Sequence, residues 1–224
     1  RKLEITGGVS PTIFPRLGVV LSGVTISNAP WADEPVMLQA AKMDVGVGFS
    51  ALLGRDIVVE AFEIESPVIR LQKNAKGQAN WDFIADLGGG EDDGGPSQIN
   101  SVSLPKGEIT GGVIIYDDAQ SGVTQTLENL DATLALTELA GEASVSMSAL
   151  LNGQSFAVDL SIDGLQQLLD GGVQQVAGSL SSSSNIVRFE GVAGLDPLQA
   201  KGALDVDIKD QPALFALGGQ VAPR

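Results

Sequence analysis

Residues Arg55–Phe83 read RDIVVEAFEIESPVIRLQKNAKGQANWDF, and this stretch decides the fold class. It is rich in the β-branched and aromatic residues that suit a pleated, half-buried surface. Pro67 lies inside the run and lacks the N–H that a ladder needs, so it marks an edge, a bend or a bulge. The composition of Asn74–Gly77 is typical of a turn. We therefore predict one long strand that is interrupted once and ends at a turn.

The phase of the large residues changes at the proline. Phe62 and Ile64 occupy even positions before it, whereas Ile69 and Leu71 occupy odd positions after it. Because side chains alternate along a strand, this slip would turn the second half to the opposite face. One extra residue in a bulge at Ser66-Pro67 would restore a common face.

Period-two alternation dominates the rest of the chain and predicts an antiparallel meander. Apolar residues alternate with serine or aspartate along Ala143–Leu151 and Phe156–Ile162, and Asn152-Gly153 between them is a hairpin signal. Short helices fit Leu165–Leu169 and Pro212–Leu217. The predicted fold class is mainly β, a curved antiparallel sheet or meander (an open groove or a sandwich-like pair) with a few short helices.

Composition suggests three regions. Residues 1–87 form an N-terminal β region with the long bulged strand, residues 88–97 (GGGEDDGGPS) an acidic glycine-rich loop, and residues 98–224 an antiparallel meander truncated at its C-terminus. The contiguous acids of the loop do not have the spacing of a calcium loop. Because the sequence opens with Arg1 and already reads as a strand at Leu3, we expect it to be a piece of a longer protein.

An internal repeat links the first and third regions. The motif EITGGV occurs as Glu4–Val9 and again as Glu108–Val113, and Gly18-Val19 recurs as Gly122-Val123 at the same offset. Two matches at one offset favour a true repeat over coincidence.

Charge and residue usage exclude several functions. The chain has a net charge of −15 with no cysteine and no histidine. Nucleic-acid binding requires Lys and Arg to neutralise phosphates, so an acidic chain argues against it. The absence of cysteine and histidine excludes thiol and histidine catalysis, iron–sulfur clusters and nearly all zinc sites. We predict no cofactor and no metal.

The remaining residues with catalytic potential, chiefly carboxylates and serines, do not form the pattern of a catalytic site. Asp117-Asp118 lies at a turn, where aspartate is favoured for its own sake, and Ser181–Ser184 has no accompanying base. Trp31, Trp81 and Tyr116 are too few to build a sugar cleft of the hydrolase kind. The sequence predicts a protein that is not an enzyme.

Two interpretations of the apolar faces remain open. The faces line a groove for acyl chains, or they pack on each other as a sandwich core. The candidate lipid-facing residues are Val145, Met147, Leu151, Phe156, Val158, Leu160 and Ile162. We assign Trp31, Pro67, Trp81 and Phe83 as structural anchors, although the tryptophans beside turns also suit a protein-binding edge.

Three stretches carry a resemblance to a known family. They are LSGVTISNAPW at Leu21–Trp31, IESPVIRL at Ile64–Leu71 running through Gly77 to Asn80–Phe83, and GVIIYDD at Gly112–Asp118. In this order and spacing the chain resembles the AsmA family of Gram-negative envelope proteins.

The resemblance implies a location and a role. Members are held in the inner membrane by one N-terminal helix, which this sequence lacks, with the rest on the periplasmic side. They act in outer-membrane biogenesis, and their larger relatives resemble bridge-like lipid transporters with an apolar β-groove. The implied function is phospholipid transport or lipid homeostasis between the membranes, with acyl chains and other envelope proteins as partners. The alternative is a periplasmic β-sandwich interaction module that assists outer-membrane protein assembly.

Overall fold

The structure, a computed structural model, describes residues 1–13, 17–48, 59–83, 104–136, 138, 140–195 and 197–212. The acidic loop predicted at 88–97 lies outside the described residues. So does all but the first residue of the helix predicted at Pro212–Leu217.

The described chain is almost entirely strand, as the alternation predicts. A 12-stranded sheet has the order β1-β2-β3-β4-β6-β7-β8-β9-β10-β11-β12, with β5 pairing to β3 and β6. Strands β1 to β4 pair antiparallel in sequence, as do β8 to β12; β5 is antiparallel to β3 and parallel to β6. The mainly-β fold class is confirmed. The strands are β1 Leu3–Thr12, β2 Gly18–Ser27, β3 Val36–Val47, β4 Val59–Glu65, β5 Val68–Lys73, β6 Leu104–Asp118, β7 Val123–Leu136, β8 Glu142–Leu151, β9 Gln154–Asp163, β10 Val173–Ser182, β11 Asn185–Leu195 and β12 Leu198–Asp207.

By its contacts the chain divides into two compact units. Unit 1 comprises Arg1–Asn100 and Ile109–Glu128, and unit 2 comprises Ser101–Glu108 and Asn129–Arg224. The three sequence regions with an acidic linker stay a prediction.

A small closed core lies within unit 1. Val24, Ala40 and Ile64 are buried on β2, β3 and β4. The partly buried side chains that pack against them are Leu21, Leu38, Met43 and Phe62. In a regular strand, residues at odd and even positions face opposite sides of the sheet. This core draws on both odd and even positions, so the alternation of facing must be interrupted.

Four left-handed residues of unit 1, here together called the crease, account for the mixed parity of β2, although β3 itself contains none. It consists of Gly8 in β1, Gly23 in β2, Ser66 between β4 and β5, and Gly111 in β6, with φ of 111°, 62°, 48° and 61°. The Ser66 N–H donates to the carbonyl of Thr110 at 2.8 Å, directly before Gly111. A left-handed residue interrupts the pleat. Residues on either side of the crease can therefore face the same core.

The crease corrects the predicted bulge at Ser66-Pro67. Glu65 pairs with Lys42 of β3 and Val68 pairs with Gln39, so equal numbers of residues lie between these pairs on both strands. The prediction of an extra residue is therefore wrong with respect to β3. The left-handed Ser66 changes the phase instead.

An inserted residue occurs at the opposite edge of unit 1. Ile5 pairs with Val24 and Gly8 pairs with Ser22, so two β1 residues stand opposite Gly23 alone. Strand β1 runs through Gly7-Gly8 and extends beyond Val9. The strand continues through Pro11, which pairs with Val19, because an edge strand tolerates a proline. Both copies of EITGGV lie in strands, β1 and β6, and each contributes one glycine to the crease.

Unit 2 contains the regular meander. Asn152 and Gly153 both have positive φ in the two-residue turn between β8 and β9, as a hairpin of this kind requires. The short helix predicted at Leu165–Leu169 is confirmed as α1. Strand β10 was not predicted, because its glutamine pair and its glycine and serines dilute the alternation.

Candidate functional site

The seven candidate lipid-facing residues lie on one side of the β8/β9 ladder. Val145 pairs with Leu160 and Met147 pairs with Val158, and cross-strand partners share a face. Ile162 pairs with Ala143, Phe156 with Ala149, and Leu151 with Gln154 at the hairpin end. The pairing of β8 with β9 therefore places all seven candidate residues on the same side of the sheet.

The same side continues through three further strands, and we call the whole set the apolar face. Val158 pairs with Leu180, which pairs with Val187, which pairs with Val206. The next row runs from Leu160 through Gly178 and Phe189 to Leu204. The sequence reasoning found only the β8 and β9 portion, because β10 was missed and its neighbours had no assigned register.

The apolar face is much less buried than the unit 1 core. All seven candidate residues are half-buried, whereas Val24 and Ile64 are 0 % and 6 % exposed. Leu180, Val206 and Leu204 are 37 %, 50 % and 65 % exposed. Within the described residues, none of the large side chains on this face reaches core burial.

The opposite side of the same strands carries most of their polar side chains, and several of these hydrogen-bond to one another. The Asp159 carboxylate accepts from the Ser146 hydroxyl at 2.7 Å and from the Ser179 hydroxyl at 3.4 Å. Arg188 pairs with Asp205 at 3.3 Å, and both side chains are exposed. A shallow depression of about 430 Å³ crosses β8 to β11 between two such polar rows. This side is a solvated surface, as expected of a sheet with one polar face.

The four predicted anchors lie in unit 1. Pro67 is fully buried directly after the crease residue Ser66. Trp81 is half-buried, with its ring 6.3 Å from that of Tyr116, and the Arg1 guanidinium lies 4.8 Å from the centre of the Phe83 ring. Trp31 is half-buried in the loop after β2. Their anchoring role stays a prediction.

A buried amide network in unit 1 was missed by sequence reasoning. Asn80 is 0 % exposed, and its side-chain amide donates to the Asn28 carboxamide oxygen and to the Arg70 carbonyl, both at 2.8 Å. Its carboxamide oxygen accepts the Gln72 N–H at 3.0 Å, and Asn28 donates to the Gln72 side chain at 3.2 Å. The only sequence signal is an asparagine close before each tryptophan. The network fixes the loops that carry Trp31 and Trp81.

The residues with possible catalytic chemistry have structural roles. The Thr124 hydroxyl donates to Asp117 at 2.6 Å across the β6/β7 hairpin. The Gln120 N–H donates to Asp118 at 2.8 Å, and this bond holds the pKa of that carboxyl below its usual value. Among the described residues no group of three or more His, Cys, Asp or Glu side chains is arranged to hold a metal. In the same part of the chain, no helix has the length and apolarity to cross a membrane.

The AsmA family profile matches residues 1–207, a range that contains the twelve strands of the described part of the chain. The chain belongs to the AsmA family. The AsmA family is known as a non-enzymatic family of Gram-negative envelope proteins, and membership suggests a role of this chain related to the envelope and the outer membrane. No significant match occurs among curated proteins or among solved structures.

Proposed function

We propose that this AsmA-family chain holds phospholipid acyl chains on the apolar face of β8 to β12. In this way it takes part in transporting lipid between the inner and outer membranes, on the periplasmic side. The observation that carries the proposal is the register, which aligns aliphatic side chains of five consecutive strands on one side while leaving them half-exposed or exposed.

The chemistry of the face suits hydrocarbon. Its rows consist of valine, leucine, methionine, phenylalanine and glycine, without a charged side chain from Met147 to Val206 or from Val145 to Leu204. Each methylene that leaves water contributes about 0.8 kcal/mol, so covering about eight methylenes gives about 6 kcal/mol. Non-directional contacts of this kind hold a chain firmly and still let it slide, since no hydrogen bond has to break.

Lipid extraction from the purified protein tests the proposal. The 224-residue chain is produced in the periplasm of a Gram-negative bacterium, and organic extracts are quantified by mass spectrometry. We expect co-purified phospholipid from the unchanged chain. The double variant Leu180→Glu/Leu204→Glu places two carboxylates on the apolar face at exposed positions, and should lower the phospholipid per protein at least threefold.

A matched control uses the neighbouring residues of the same strands. Ser179→Glu/Ala203→Glu adds the same charge on the polar side and should leave the lipid content unchanged, with both variants giving the circular dichroism spectrum of the parent. Absence of phospholipid from the parent extract would contradict the proposal. An equal loss in both double variants would do so as well, since it would assign the effect to charge alone.

One observation favours a second function, an interaction module that assists outer-membrane protein assembly. Every residue of β12 is exposed, and within the described residues β12 pairs with β11 alone. A strand with a free edge can add a strand from an unfolded partner. A photo-crosslinker at Ala203 that captures outer-membrane protein precursors, combined with lipid-free extracts, would favour this function over the first.

A further inference from the structure

Unit 1 contains a polar cleft of about 490 Å³ that lies apart from every residue of the apolar face. It is formed by the loop after β2, by the end of β5 with the turn that follows it, and by the β6/β7 hairpin. The lining residues that matter for its chemistry are Trp31, Asp33, Gln72, Lys73, Asp117 and Asp118.

The walls of the polar cleft are held in place by hydrogen bonds. The Asn74 carboxamide oxygen accepts the N–H groups of Lys76 and Gln78 at 2.9 and 3.0 Å, which fixes the turn after β5. The Ala119 N–H donates to the Lys73 carbonyl at 2.9 Å, and this bond ties the two turns together. Gln72 is only 8 % exposed and belongs to the buried amide network. A cleft whose walls are fixed in advance costs a ligand little ordering.

The side chains of the polar cleft disfavour two kinds of ligand. Three carboxylates, Asp33, Asp117 and Asp118, are incompatible with hydrocarbon and repel phosphate or any other anion. Lys73 lines the same cleft and offsets one of these three charges, so an excess of negative charge remains. A ligand with several hydroxyl groups can donate to the carboxylates and accept from Lys73, whereas a cation would interact with the carboxylates alone.

We propose that the polar cleft binds a neutral sugar ring, such as a hexose or N-acetylhexosamine unit of a glycan. The half-buried Trp31 offers an apolar ring on which the C–H face of a sugar packs. The carboxylates of Asp33 and Asp117 accept hydrogen bonds from sugar hydroxyls, and Lys73 donates to them. A sugar ring has an apolar C–H face and a rim of hydroxyl groups. An aromatic ring beside hydrogen-bond acceptors and a donor therefore suits such a ligand.

Fluorescence of Trp31 provides a direct test. The chain has two tryptophans, so Trp81→Phe leaves Trp31 as the only one. Titration of this variant with chitotetraose and with maltotetraose should give a saturable change in emission for at least one of them, at millimolar concentration. Adding Asp33→Ala, an exposed position, should weaken that binding at least fivefold, whereas Asp159→Asn in unit 2 should leave it unchanged.

Spermidine serves as the cationic probe and inorganic phosphate as the anionic one. Saturation of the Trp31 signal by spermidine without a response to either sugar would overturn the proposal in favour of a cation site. A flat titration with both sugars up to about 50 mM would overturn it as well. Saturation-transfer NMR on unlabelled sugar gives a second readout, in which Trp31→Ala should abolish transfer while the variant keeps the parent's circular dichroism spectrum.

Discussion

Units 1 and 2 are both built from strands in which apolar and polar residues alternate, yet the two units differ in how far their apolar side chains are buried. In unit 1 left-handed residues interrupt β1, β2 and β6, and side chains of both parities form a small core around Val24 and Ile64. In unit 2 the strands β8 to β12 contain no left-handed residue within their described spans. Most of their large apolar residues lie on one side, at half-buried or exposed positions. The left-handed Asn129 of this unit lies in β7, and the others lie in the connections between later elements.

The difference shows what regular alternation does and does not achieve. A strand that alternates without interruption produces one apolar face, which requires a second layer or a ligand to cover it. A strand that changes phase in its middle brings residues from both halves to one place. Consequently β2 to β4 of unit 1 bury side chains around Val24, whereas β8 to β12 of unit 2 keep an apolar face that is half-exposed.

The largest expected contrast comes from deleting one large side chain in each unit. Ile64→Ala removes a side chain that is 6 % exposed from the core, and should lower the free energy of unfolding by about 3 kcal/mol. Leu204→Ala removes one that is 65 % exposed on the apolar face, and should change it by less than about 0.5 kcal/mol. Urea unfolding measures both, and equal losses would mean that the apolar face is a covered core.

The next contrast tests the crease itself. Gly23 has φ of 62°, and a Cβ there would lie 3.1 Å from the Gly7 nitrogen and closer still to the Thr6 hydroxyl. Gly23→Ala should therefore cost about 2–3 kcal/mol, since a left-handed alanine alone costs about 1–2 kcal/mol.

Gly178→Ala is the matched control for Gly23→Ala. Its Cβ would make ordinary contacts at 3.4 Å or more within a regular strand of unit 2. We expect a change of less than about 1 kcal/mol in the free energy of unfolding. A cost at position 178 as large as that at position 23 would remove the proposed distinction between the units.

The smallest expected effect is a change in stability that has opposite signs in the two units. Ser66 adopts φ of 48°, so Ser66→Gly should relieve backbone strain and stabilise the chain by up to about 1 kcal/mol. Ser148→Gly, at an exposed position of the regular strand β8, should destabilise it by about 0.5–1 kcal/mol. Thermal unfolding of both variants measures the signs, and destabilisation by Ser66→Gly would refute strain at the crease.

The sequence reached part of the candidate site. The alternation along β8 and β9 correctly placed all seven residues on one side, because a period of two fixes facing without knowledge of the partner strand. It did not reach Leu180, Phe189 or Leu204 as members of the same face, since membership depends on register between strands far apart in sequence. The polar cleft was out of reach for the same reason, because Trp31, Lys73 and Asp117 belong to three separate segments.

Pro67 shows the same limit of sequence-based prediction at a single position. Pro67 and the shift from Ile64 to Ile69 correctly located a change of phase. The mechanism was wrong, because inserting a residue and turning one residue left-handed leave the same trace in a sequence. Only pairing to β3 separates them.

By itself the sequence determined the mainly-β class, the positions of most strands and turns and the membership of the AsmA family, since these follow from local periodicity, turn chemistry and ordered motifs. The tertiary structure decided that Gly8, Gly23, Ser66 and Gly111 adopt left-handed conformations, that Asn28, Gln72 and Asn80 bury their amides together, and how far the apolar face extends. These features depend on which residues stand opposite one another. Register between distant strands is a property of the whole sheet and has no local signature.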